Sequence, residues 1–286
     1  MIDSESERFE ESVETERELL EFAEQLALSC GQWLVEQRQD VIQLEYVCKS
    51  HPIDLVTRFD REVEQRVITR INAIYPHHLI LGEETAVRKD DLSSVTQNQE
   101  ICWVIDPLDG TMNFVHDIPH YAVSIAAVKK GIPLVGVVYD PNADELFSAA
   151  RGLGARLNGK PIKVSKQDGF ENSLLSTGFA AEDWSFDSPF RSDVQKFFGH
   201  CRSIRISGSS ALDLAYIAAG RIDGFWHRKL APWDIAAGIL LVEEAGGKVS
   251  SLDGPSFQFN DDYLIACNGL IQNTVISLLK CSKPDS

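Results

Sequence analysis

Leu19, Phe22, Ala23, Leu26, Cys30, Trp33 and Leu34 recur at helical spacing and predict a long first helix. A break follows near Lys49 to Pro52. Phe59, Val63, Val67, Ile71 and Ile74 mark a second amphipathic helix, closed by Tyr75-Pro76. The period then shortens. Leu79 to Leu81 reads as a buried strand ending at Gly82-Glu83-Glu84, and Ile101 to Ile105 as another, ending at Asp106. Val123 to Val128 and Leu134 to Tyr139 are β-rich runs around a turn at Lys129-Lys130-Gly131. Leu146 to Ala150 and Ala155 to Leu157 continue them, and Asn158-Gly159 is a hairpin turn. Farther on, Ser192 to Phe198 and Ser209 to Ala219 read as helices and Asp223 to Trp226 as a strand. Asp234 to Ala245 is a helix stopped by Gly246-Gly247. The mixture predicts stacked helix and sheet layers, an α/β fold other than a single doubly wound sheet.

There is no internal repeat and no Pro/Ser-rich linker. Residues 1–14 are acidic and expected to fray. Residues 15–286 are expected to form one unit, with 15–165 as a first half and 166–286 completing it. No apolar stretch approaches the ~20 residues of a membrane helix. The acidic start lacks the basic and apolar regions of a secretory signal. Six scattered cysteines without a C-x-x-C pair fit reduced thiols, so the expected location is cytoplasmic. The formal net charge of -16 argues against nucleic acid as a partner. It also means that a site for an anionic substrate would need bound cations.

The chemistry concentrates in Asp106-Pro107-Leu108-Asp109-Gly110-Thr111. An apolar strand ends and two carboxylates follow, three residues apart. Pro107 stiffens the turn and Gly110 lets backbone approach a ligand. A helix beginning near Gly110 would aim free N–H groups at an anion. One Asp would fit a simple N-cap, but two bracketing Pro-Leu fit it poorly. Glu83 and Glu84, read alone, suit a solvated loop. Asp234 at the start of an apolar helix suits an N-cap, a role compatible with metal binding. Together these acids are hard oxygen donors without a Cys or His cluster, suited to Mg²⁺, Mn²⁺ or Ca²⁺ rather than zinc.

Asp106 to Phe114 (D-P-L-D-G-T-M-N-F) resembles the signature of the inositol monophosphatase family, and Pro232 to Gly238 (P-W-D-I-A-A-G) resembles its second signature. Gly82-Glu83-Glu84 and Asp54 to Asp60 match in order and spacing, so the likeness runs from about Leu19 to about Leu279. The resemblance implies a layered αβαβα sandwich, magnesium dependence, inhibition by Li⁺ or Ca²⁺, and a homodimer. It implies that Glu83, Asp106 and the Leu108 carbonyl hold one metal, that Asp106, Asp109 and Asp234 hold a second, and that a weaker third cation sits near Glu83. Thr111 would orient the attacking water with Asp60 behind it. The N–H groups of Gly110 and Thr111 would hold phosphate oxygens, Gly208 and Ser209 would line the substrate, and Lys49 and Asp54 would lie on a mobile loop.

One position departs from the pattern. His227 stands where family members acting on inositol phosphates commonly carry Glu, seven residues before Asp234, and Arg228 and Lys229 follow it. That change suits either a more anionic substrate or a basic surface turn. The expected reaction is hydrolysis of a small phosphate monoester, inositol 1-phosphate first. Fructose 1,6-bisphosphate, NADP and adenosine bisphosphates are the alternatives, and a cation-stabilised binding or regulatory protein is the non-enzyme one. A haloacid dehalogenase-type phosphatase needs D-x-D-x-T, which the two residues between Asp106 and Asp109 do not give. Gly152-Leu153-Gly154 lacks the third glycine of a dinucleotide turn. Asp213 is expected on a helix surface or as an internal partner, His116 and His120 in local packing, and Trp184 and Trp226 in the core or at an entrance.

Overall fold

The computed structural model describes residues 3–39, 45–49, 55–85, 95–179, 183 and 188–281. The outermost layer is α1 (Asp3–Gln39) and α2 (Arg58–Ile74). They cover a seven-stranded sheet in chain order: β3 (Leu79–Gly82), β4 (Cys102–Asp109), β5 (Ala122–Lys129), β6 (Ile132–Asp140), β7 (Glu145–Ala150), β8 (Gly154–Leu157) and β9 (Lys160–Pro161). Helices α5 (Ser210–Ala218) and α6 (Pro232–Glu244) form the central layer. Next comes a five-stranded sheet in the order β11 (Ser203–Arg205), β10 (Leu174–Thr177), β12 (Gly224–Arg228), β14 (Tyr263–Cys267), β13 (Lys248–Ser250). Residues of α4 (Pro189–Gln195) and α7 (Gln272–Lys280) join the core on its far face. A ribbon of β1 (Tyr46–Cys48) and β2 (Leu55–Thr57) and the short α3 (Thr111–Val115) lie beside these layers. The expected layered α/β sandwich is the fold that forms.

The hydrophobic pattern sorts into the layers by period. On α1, Leu19, Ala23, Leu26, Ala27, Cys30 and Leu34 are buried along one stripe. Strand β4 is buried at all eight positions, because helices cover both faces of the sheet. Its alternate residues enter different cores. Trp103 and Ile105 pack with α1 and α2, while Cys102 and Val104 pack with α5 and α6. The Asn158-Gly159 turn has φ of 48° and 74°, the paired left-handed geometry that joins two antiparallel strands.

Several boundaries differ from the sequence expectation. The first helix begins at Asp3, inside the stretch expected to fray. Strand β4 does not stop at Asp106 but continues to Asp109, where Asp109 pairs with Ala122 beyond an irregularity in register. Pro107 has no N–H to give the ladder, and the Leu108 N–H turns instead to Asp106 Oδ1 at 3.0 Å. Helix α4 starts at Pro189 rather than Ser192, capped by Ser188 Oγ accepting from the Phe190 N–H at 3.1 Å. Strands β1, β2, β10, β11, β13 and β14 went unpredicted, since three to five residues carry too little alternation.

Close approach of the central layer to the seven-stranded sheet requires glycine. A Cβ on Gly136 of β6 would lie 2.8 Å from both Cα and the carbonyl O of Ala237 on α6, and both of those are backbone atoms. Gly136→Ala therefore forces sheet and helix apart. We expect a loss of ~1–3 kcal/mol in urea unfolding, and an unchanged midpoint would show that the layers tolerate separation.

Candidate active site

The end of β4, the turn at Gly110 and the start of α3 form the centre. Gly110 has φ of 95°, and a Cβ there would meet the His120 carbonyl O at 2.9 Å, so both conformation and space require glycine. Thr111 opens α3, with Oγ1 3.0 Å from Asp60 Oδ1 and 2.9 Å from the Leu108 carbonyl O. Asp60 is fully buried at the third position of α2, where its Oδ2 accepts from the Thr57 N–H at 2.8 Å and the Thr57 hydroxyl at 2.6 Å. A hydroxyl has one proton, so Thr111 donates to one acceptor at a time. Burial pushes the Asp60 carboxyl up, and the hydrogen bonds from Thr57 and Thr111 oppose that push. Thus the capping box of α2 and the first turn of α3 join residues 51 apart in sequence.

The carboxylates gather from three elements. Glu83 follows β3, which runs parallel to β4, and its N–H donates to the Ile105 carbonyl at 3.2 Å. Asp106 and Asp109 lie on β4 and are buried. Asp234 is not the N-cap of α6 but sits one turn in, where its Oδ2 accepts from the Ala231 N–H at 2.8 Å. Burial, followed by the charges of Glu83, Asp109 and Asp234, pushes the Asp106 carboxyl well above the usual range. Burial raises Glu83 to about 7 despite the opposing Lys49, and raises Asp109 to about 6 despite hydrogen bonds from Ser209 and Ala211.

These acids have other partners. Asp109 Oδ2 accepts from the Ser209 hydroxyl at 2.5 Å and the Ala211 N–H at 2.8 Å. The Lys49 ammonium lies 2.8 Å from Glu83 Oε1 and also contacts Glu84. Burial lowers its pKa, but the two glutamates more than offset that and hold it above its usual value. Consequently, among the described residues no three acids, histidines or cysteines converge at a spacing that would seat a metal ion directly. The donor chemistry nonetheless fits a hard divalent cation: all side-chain donors are oxygens, and their mutual repulsion is what such a charge relieves. Asp54 lies outside the described residues.

Two residues without an assigned role complete the centre. Asn113 Nδ2 donates to the His120 carbonyl at 2.7 Å and the Ser207 carbonyl at 2.9 Å, tying α3 to the loop before α5. Gly208, with φ of 85°, packs against this amide, and Ser209 caps α5 through the Leu212 N–H at 3.3 Å. Glu64 is buried on α2, and its Oε2 accepts from the Glu84 N–H at 2.8 Å. Its signal was an acid beside the apolar stripe of an amphipathic helix.

His227 is buried on β12, with Nδ1 2.6 Å from the Arg228 carbonyl. A carbonyl only accepts, so Nδ1 carries the proton and Nε2 is the acceptor nitrogen. Burial lowers its pKa to about 4, leaving the ring neutral. The Arg228 guanidinium lies over the Tyr263 ring at 5.2 Å. Asp213 is buried rather than on a helix surface, and burial raises it to about 8, with a smaller push from Asp109. Trp226 stacks on Phe197 at 4.1 Å in the core, whereas Trp184 lies outside the described residues. His120 packs edge-on against Tyr216 at 6.0 Å.

Comparison with known proteins places this geometry. The Nus factor SuhB of Escherichia coli strain K12 is 42% identical over 233 residues, covering 82% of this chain and 85% of that protein. The inositol-1-monophosphatase of a Synechocystis species is 40% identical over 262 residues, covering 91% and 88%. Among solved structures, the extragenic suppressor protein suhB from Bartonella henselae matches with a TM-score of 0.84 at 35% identity, over 93% of this chain and 99% of that one. The inositol monophosphatase from Anabaena gives 0.79 at 38% identity, over 92% and 95%. Residues 15–283, which include every residue of the centre described above, match one family model throughout, and the chain belongs to the inositol monophosphatase family.

Proposed function

We propose that the chain is a Mg²⁺-dependent phosphatase that hydrolyses a small phosphate monoester, inositol 1-phosphate in the first instance. The observation that carries this reading is the buried pair Asp106 and Asp109 with the half-buried Glu83 and Asp234, beside the Thr111–Asp60 pair. The family is generally metal-dependent. Glu83, Asp106, the Leu108 carbonyl, Asp109 and Asp234 would hold the cations, with Mn²⁺ an alternative to Mg²⁺ and Ca²⁺ or Li⁺ inhibitory. Bound cations lower the pKa of the attacking water and neutralise charge on the departing oxygen.

The chain's own residues do the positioning. The Thr111 hydroxyl, anchored by Asp60, fixes the direction from which a water approaches phosphorus. The N–H groups of Gly110 and Thr111 meet phosphate oxygens as charge grows on them. The water gives up one proton to solvent as it forms the new P–O bond opposite the ester oxygen, the ester bond breaks, and the alcohol leaves with a proton returned from solvent. No enzyme nucleophile is used. Gly208 and Ser209 line the substrate, and Nε2 of neutral His227 accepts one substrate hydroxyl. Lys49 must leave Glu83 for a cation to enter. The active form is a homodimer in the cytoplasm. The name of the Escherichia coli relative, Nus factor, favours a second reading in which the chain serves as a binding factor alongside catalysis or in place of it.

The deciding experiment is phosphate release from inositol 1-phosphate, fructose 1,6-bisphosphate, an adenosine bisphosphate and NADP, with Mg²⁺ and with excess chelator. Chelator-sensitive release led by inositol 1-phosphate supports the reading. No release by folded protein moves the chain to the binding role.

Three further outcomes are expected. Asp106→Asn and Asp234→Asn each lower turnover by ~10³-fold or more, while thermal unfolding shows the fold intact, because removing one repelling carboxylate costs the fold little. Residual activity near the parent level would refute these ligands. His227→Glu, which restores a charged acceptor, shifts the substrate ranking toward inositol 1-phosphate, and an unchanged ranking removes His227 from specificity. The third concerns pH. Asp109 and Glu83 keep their protons to about 6 and about 7 in the folded chain, against 3.8 and 4.5 otherwise. The folded state therefore binds more protons than the unfolded one in that window, and metal-free protein loses stability as pH rises from ~4 to ~7, with Asp213, raised to about 8, extending the loss. We expect the unfolding temperature in chelator to fall across that range by several degrees and Mg²⁺ to restore it. A rise with pH in chelator would contradict the buried repulsion.

A further inference from the structure

A cleft of about 550 Å³ lies along the edge strand β11, the first residue of β10 and the residue that precedes β12. Strands β10 and β12 run parallel, so their first residues, Leu174 and Gly224, lie at one end of the sheet. The residues that line the cleft include none of Glu83, Asp106, Asp109, Thr111 and Asp234. The cleft is thus separate from the proposed catalytic group.

Its charge is opposite to that of the chain. Lys166, Arg202, Arg205 and Arg221 line it in a protein of net charge -16. Arg221 is matched by a two-point pair with Glu145, at 2.5 Å on each contact. Among the described residues, Lys166, Arg202 and Arg205 form no salt bridge. The two arginines are held by neutral acceptors instead. Arg202 Nη2 donates to Asn172 Oδ1 at 3.0 Å, and Arg205 Nη1 to Ser203 Oγ at 2.7 Å. Among the described lining residues the one acid, Asp223, has both oxygens engaged: Oδ1 accepts from the Ser165 hydroxyl at 2.5 Å and Oδ2 from the Leu174 N–H at 2.7 Å. The wall is fixed too, since Asn268 Nδ2 donates to Ser165 Oγ at 2.9 Å and to the Gln167 carbonyl at 2.8 Å.

Lys166, Arg202 and Arg205 outnumber the Asp223 carboxylate, and an anion among them relieves their mutual repulsion. Guanidinium groups suit phosphate oxygens by their fork of donors, and Lys adds a point charge. One phosphate group would not engage all three, whereas a chain of two or three would. The volume falls in the range of small-molecule sites. Among the described residues no aromatic side chain lines the cleft to stack on a base, and the phosphate chain itself is the feature recognised. We propose that Lys166, Arg202 and Arg205 form a second anion site, which binds the phosphate chain of a small di- or triphosphate compound. The inference stands apart from the phosphatase reading, because it uses none of that centre's residues.

The test is titration calorimetry of the full chain with inorganic triphosphate in excess chelator, which keeps metal-held phosphate out of the acidic centre. Saturable one-site binding is expected, weakened about tenfold or more in Arg202→Ala/Arg205→Ala and severalfold in Lys166→Ala. All three residues are exposed, and circular dichroism melts verify that each variant is folded. Arg61→Ala/Arg70→Ala removes the same charge from the exposed face of α2 and should leave binding within about twofold, as should Asp106→Asn. Absence of binding, equal weakening in both double-arginine variants, or orthophosphate binding as tightly as triphosphate would overturn the proposal.

Discussion

Carboxylates that share a buried space repel one another, and much of the molecule can be understood as the means of holding them there. Asp106 feels Glu83, Asp109 and Asp234 with little water to screen them. Relief comes from retained protons, from Lys49 on Glu83, and from donors such as Ser209 and the Ala211 N–H on Asp109. A group under that tension stays in place only if each member rides on an element that cannot move away. Glu83 and Asp106 are fixed by the parallel pairing of β3 with β4, and Asp234 by the first turn of α6. The same tension makes the cluster suited to a cation, so its cost to the apo fold and its proposed use share one cause.

The layers supply the rigidity. Strand β4 is buried on both faces and lies between the α1–α2 layer and the α5–α6 layer. Its last residues carry the acids out of a densely packed region. The loop before α5 is joined to α3 through Asn113 and to β4 through Asp109, which draws the second half of the chain onto the first. The site is therefore a joint between halves, and the Thr111–Asp60 bond adds α2 to it. Relatives of this chain bear both enzyme and Nus factor names, so the fold alone does not choose between those roles.

The sequence carried the layered fold class, the long helices, the central strands and the chemistry of the acidic motifs. Those features depend on local pattern. A continuous apolar run such as Cys102 to Ile105 declares a strand covered on both faces, and Gly110 declares a turn, whatever surrounds them. The tertiary structure decided what depends on neighbours. Six strands of three to five residues form only because longer strands or each other offer them a ladder. Asp213 is buried because α5 is enclosed between two sheets, a fact that its own helix cannot signal. His227 is neutral because β12 is covered, and the cationic cleft exists because β10, β11 and β12 bring Lys166, Arg202 and Arg205 to one edge. Charge, burial and hydrogen-bond partners are properties of a site's surroundings. Sequence spacing names the residues, but only packing sets how much water and which opposing charge each one meets.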